Sequence, residues 1–118
     1  MTVGLGANSV SLNTAIGVTA LSASNLSGGG NTAVGSRTLV GNTSGSDNTA
    51  IGESALNKTT SGSANVAIGV LALYNNITTG DNVAIGYGAG YLASTALVSN
   101  SRSVFIGRDA NSTVDGLT

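Results

Sequence analysis

The apolar positions of this chain keep returning in one short figure. A polar residue is followed by Thr or Val, then Ala, then Ile or Val, then Gly: NTAIG from Asn13, NTAVG from Asn31, NTAIG from Asn48, NVAIG from Asn65 and from Asn82, and a worn copy with Phe in the place of Ala, SVFIG from Ser103. Successive starts lie 18, 17, 17, 17 and 21 residues apart. Inside the figure, period-two alternation and β-branched residues predict a short strand closed by a glycine corner. A second apolar touch follows each corner and ends at Leu21, Leu39, Leu56 and Leu73; the fifth copy breaks, reading YGAG to Gly90. Each unit then passes through a Ser/Thr/Asn/Gly stretch, such as GNTSGSD from Gly41.

Such a unit is too short for helix-pair repeats, which need about 33 residues or more. The pattern predicts an all-β protein, a parallel β-solenoid of six coils of about 17 residues. The whole of 1–118 reads as one solenoid segment, with regular coils over about 13–90, an enlarged loop over about 87–102 and a terminal coil over 103–118. At roughly 4.8 Å per coil the stack is on the order of 30 Å long, short enough to read as part of a longer rod. The recurring glycines at 17, 35, 52, 69, 86 and 107 fit a corner that demands positive φ. Asn31, Asn48, Asn65 and Asn82 are expected to stack as an amide ladder, hydrogen-bonded up and down the column.

Alternation divides each strand into two faces. The column of Thr14, Thr32, Thr49, Val66, Val83 and Val104, with that of Ile16, Val34, Ile51, Ile68, Ile85 and Ile106, is the expected coil interior, opposed by the four leucines. The other column, Ala15, Ala33, Ala50, Ala67, Ala84 and Phe105, is then expected to face outward. Five small apolar residues in register imply a surface at close range, so this column is the expected interface with neighbouring copies. Oligomerisation is expected on energetic grounds too, because a coil with few branched aliphatics has little to set against the ordering of its backbone.

Composition narrows the chemistry. With 18 glycines, no Pro, Cys, His or Trp, and only three Tyr and one Phe, the chain has no disulfide and no histidine ligand or base. A Ser-His-Asp mechanism is therefore impossible and a zinc centre has no ligands to draw on. Four basic and five acidic residues give a net charge of −1, without the basic patch that nucleic acid requires. The longest apolar runs fall far short of the ~20 residues of a membrane span, so no membrane insertion is expected. GLG from Gly4 and GYGAG from Gly86 lack the Lys-Ser/Thr of a phosphate loop and read as corners. Asp47 and Asp81 stand at equivalent turns, but Ala64 holds the place between them, short of the oxygens calcium needs. Five scattered acids do not make a glycosidase pair. No enzyme activity, cofactor or metal is expected. Tyr74, Tyr87 and Tyr91 are the candidates for stacking on a receptor sugar, Tyr87 and Tyr91 being favoured because they flank the expected loop.

The repeat NTAIGxxAL, followed by the turn in LALYNNITTGDNVAIG (71–86), resembles the repeats of bacteriophage tail fibres. Its five-residue core is also similar to the NSVAIG repeats in the heads of trimeric autotransporter adhesins, whose coils are shorter. The closing stretch SRSVFIGRDANSTVDGLT resembles the segment where regular fibre coils give way to a distal region. The resemblance implies a homotrimeric fibre segment on a virion or an extracellular surface, projecting or forming a region that binds a host-surface receptor or glycan. An ice-binding β-solenoid is the alternative. Against it, the threonine column changes to valine after Thr49 and is expected to face inward.

Overall fold

The computed structural model of the chain describes residues 3–4, 12–92 and 102–111. Among these residues the secondary structure is all β. The strands are β1 (Val3–Gly4), β2 (Thr14–Ile16), β3 (Thr32–Val34), β4 (Thr49–Ile51), β5 (Val66–Ile68), β6 (Val83–Ile85) and β7 (Val104–Ile106), and they form one sheet in chain order. β2 to β7 pair in parallel, each residue opposite its counterpart one repeat away: Ala33 with Ala50, Ala50 with Ala67, Ala67 with Ala84. β1 alone is antiparallel, setting Val3 against Ile16 and Gly4 against Ala15, and so covers the first edge of the stack. The chain is a β-solenoid, one coil per repeat.

The strands are short, but the backbone ladder continues around the coil. The N–H of Leu39 donates to the Ala55 carbonyl and that of Leu56 to Ala72; Thr43 donates to Thr60, and Thr60 to Ile77. Three columns of non-glycine residues hold this ladder in the left-handed region, for example Arg37, Leu39 and Asp47 at φ 57°, 52° and 58°. Glycine is required where the strand turns. At Gly35, φ is 134° and a Cβ would stand 2.7 Å from the Gly52 carbonyl oxygen.

The coil interior is the reverse of the sequence expectation. Ala15, Ala33, Ala50, Ala67, Ala84 and Phe105 are buried inside the chain's own coils with Leu21, Leu39, Leu56 and Leu73. Ala67 is fully covered, whereas its neighbour Ile68 is 37% exposed. The reason lies in the asparagines. Asn31, Asn48, Asn65 and Asn82 are fully buried. Asn48 Nδ2 donates to the Gly62 carbonyl of its own coil at 2.9 Å and to Asn31 Oδ1 of the coil before at 3.1 Å, while the Asn48 N–H donates to the same Oδ1 at 3.0 Å. Asn65 repeats this with Asn48 and with the Thr79 carbonyl. The expected ladder is therefore present, and it points inward. Period two then carries the alanine two residues later inward as well, and turns the Thr/Val and Ile columns out.

The fifth coil is regular further than expected. The Gly88 N–H donates to Val70 and the Gly90 N–H to Ala110, as in the other coils, and the turn is described as far as Leu92. Any enlarged loop thus follows Leu92, and residues 93–101 lie outside the described part, as do residues 112–118 of the terminal coil. Gly90 occupies the leucine column. A Cβ there would sit 2.7 Å from Leu73 Cδ2 and 3.0 Å from Phe105 Cδ2, because the Phe105 ring fills the space a leucine takes in other coils.

Candidate functional site

The alanine column cannot be an interface, since its methyl groups are enclosed by the coil that carries them. The surface that remains unexplained is the outer face of the same strands. Ile51, Ile68, Ile85, Val104 and Ile106 are exposed there; past the glycine corner Val18, Val70 and Tyr87 add exposed apolar surface on three coils, while Ser36, Glu53 and Arg108 hold the same position on the others. Thr32, Thr49, Val66 and Val83 line the other side of the strip, half buried. Strand pairing holds these columns in strict register. The face is a flat ladder of β-branched side chains, running through every coil from β2 to β7. Apolar surface this continuous is uncommon on an ordinary solvent-facing sheet.

The three tyrosines do not form one site. Tyr74 and Tyr91 belong to one column on adjacent coils, with ring centroids 5.3 Å apart and planes 10° apart. Lys58, on the coil before, places its ammonium 5.2 Å from the Tyr74 centroid. Asn75 Nδ2 donates to the Tyr91 carbonyl and pins the backbone of this stack. Tyr87 stands apart beside the glycine corner, with the Arg108 guanidinium 5.0 Å from its ring centroid. Sugar stacking needs an open ring face; Tyr74 stacks on Tyr91 and also receives Lys58, and Tyr87 receives Arg108. The rings serve first to bind coil to coil.

Asp47 and Asp81 lie two coils apart in one column, and among the described residues there is no group of three or more acidic side chains able to hold a metal ion. The sequence signal for the outward face was available in the alanines themselves. A column restricted to alanine is what a narrow interior demands; the close surface it implies is the opposite wall of the same coil.

No protein-family model matches the chain, and neither a curated protein nor a solved structure does.

Proposed function

We propose that this chain is a structural segment of a surface fibre, of the viral tail-fibre or bacterial adhesin kind, in which three copies join through their outward sheet faces. The observation that carries the reading is the unbroken column Ile51, Ile68, Ile85 and Ile106, exposed beside a core that each chain completes by itself. Burying a branched aliphatic side chain contributes about 1.5–3 kcal/mol, and the column repeats in every coil, so association along the whole rod gains steadily with length. Joining copies by this face leaves the rest of each coil's outer surface available toward a host receptor or glycan.

Because the chain has no cysteine, one thiol can report the contact. Ile85→Cys, treated with a three-armed maleimide, should give a covalent three-chain species; Thr60→Cys, in a polar turn, should not. Equal yields from the two variants would contradict the reading.

A second reading gains from one observation. Thr14, Thr32 and Thr49 face outward, not inward as expected, in register with Ile16, Val34 and Ile51. Regular outward threonines are what an ice-binding face uses. The change to Val66, Val83 and Val104 halves the array. Thermal hysteresis measured on the unmodified chain separates the two readings, since a fibre segment should show none.

A further inference from the structure

The chain has no cysteine, so no disulfide can tie one coil to the next. A different oxidisable pair stands on adjacent coils. The Leu73 N–H donates to the Ala89 carbonyl as the Leu56 N–H does to Ala72, which sets Tyr74 and Tyr91 at equivalent positions one repeat apart. Their ring centroids are 5.3 Å apart and their planes differ by 10°. Rings stacked from equivalent positions of parallel coils present like edges to each other, phenol end beside phenol end. Both residues are only partly buried, so the rings have room to tilt and an oxidant can reach them.

The surroundings leave each ring of this pair the other as its phenol partner. From the coil before, Tyr74 meets Lys58, whose ammonium lies 5.2 Å from the ring centroid. Tyr87, the third tyrosine of the chain, is 47% exposed and carries Arg108 rather than a phenol against its ring, with the guanidinium 5.0 Å from the centroid.

We infer that Tyr74 and Tyr91 form an oxidative cross-linking site, which hydrogen peroxide and a one-electron oxidant of the haem-peroxidase class convert to dityrosine. Each phenol loses one electron and one proton and becomes a phenoxyl radical. The two radicals couple through one carbon ortho to oxygen on each ring, which forms a single carbon–carbon bond. The hydrogen on each coupled carbon is then lost to solvent while each oxygen regains a proton, so both phenols are restored. One hydrogen peroxide takes up the two electrons and two protons and leaves as two waters. Stacking favours this coupling because it replaces a chance encounter by one between groups already in place. The bond ties the coil of β6, whose start lies 21 residues before the next at Ser103, to the regular coil of β5. The site lies within one chain and does not depend on association between copies.

The test is oxidation of the unmodified chain by hydrogen peroxide and a haem peroxidase across a dilution series, read by denaturing electrophoresis and peptide mass spectrometry. Cleavage after Asp81 separates Tyr74 from Tyr87 and Tyr91, so a bridge from Tyr74 appears as two joined peptides that have lost two hydrogens. The expected product is a single chain bridged from Tyr74 to Tyr91, in a yield that dilution leaves unchanged because the partner's effective concentration is set within the chain. Tyr74→Phe and Tyr91→Phe keep the stacked rings and should each abolish the bridge, whereas Tyr87→Phe should leave its yield unchanged. Tyr87 and Tyr91 are the pair nearest in sequence, so a chain without the stack would join those two instead. A bridge from Tyr87 to either partner, products formed chiefly between chains, or no bridge at all would overturn the inference.

Discussion

An asparagine that reaches into the coil fixes the direction of every side chain after it in the strand. Asn65 is tied to Asn48 and to the Thr79 carbonyl, so Ala67 must point inward and Ile68 outward. Neighbouring substitutions should therefore act in different ways. Ala67→Glu buries an unpaired charge in a space sized for a methyl group and should cost several kcal/mol, abolishing the β-type circular dichroism. Ile68→Lys should keep that spectrum. Loss of structure in both, or in the lysine variant alone, would return the isoleucines to the interior. Gly90 and Phe105 form a second residue-scale test, because glycine in the leucine column makes room for phenylalanine in the alanine column. Phe105→Ala should cost about 3–5 kcal/mol, and Gly90→Leu about 1–3 kcal/mol by overpacking. The double variant rebuilds the composition of the earlier coils, so urea denaturation should show a loss well below the sum. Strict additivity would mean that the two residues do not share the space.

At the scale of the element, the coil rather than the strand is the unit. β4 has three residues, yet the ladder around it includes Leu56 to Ala72, Lys58 to Tyr74 and Thr60 to Ile77. Removing residues 48–64, one whole repeat, should leave a shorter rod, with Asn65 following Asp47 as Asn48 does now. Removing 49–51 alone should collapse the register, because the strand pairing joins equivalent positions of neighbouring coils. Circular dichroism and a thermal melt on the two deletions would show this directly; similar stability in both would deny the 17-residue unit its structural role. The repeat period, the glycine corners, the parallel class and the asparagine ladder were legible in the sequence, since each rests on identical letters at fixed spacing. The facing of the strand was legible only through the restriction of one column to alanine, against the pull of hydrophobicity. NTAIG alternates equally well in either sense, and hydrophobicity alone favours putting isoleucine inside. The inward demand of Asn48 and the narrow bore of the coil, which admits alanine but not isoleucine, overrule that preference. The regularity of the fifth coil was hidden too, because Gly90 looks like a break until Phe105 is seen beside it.

At the scale of the whole molecule, the reversal of faces relocates the proposed assembly. The alanines that suggested a neighbour are closed within one chain, while the isoleucines assigned to the core stand in the open. The candidate receptor residues change as well, since Tyr74 and Tyr91 stack as a pair and Tyr87 belongs to the margin of the contact face. The proposed function requires that this face hold copies together. Light scattering coupled to size exclusion, run on the unmodified chain and on Ile68→Lys, measures this most directly. The expected masses are three times the 11.4 kDa chain for the first and a folded single chain for the second. A monomer for the unmodified chain, or an unchanged assembly for Ile68→Lys, would contradict the proposed function.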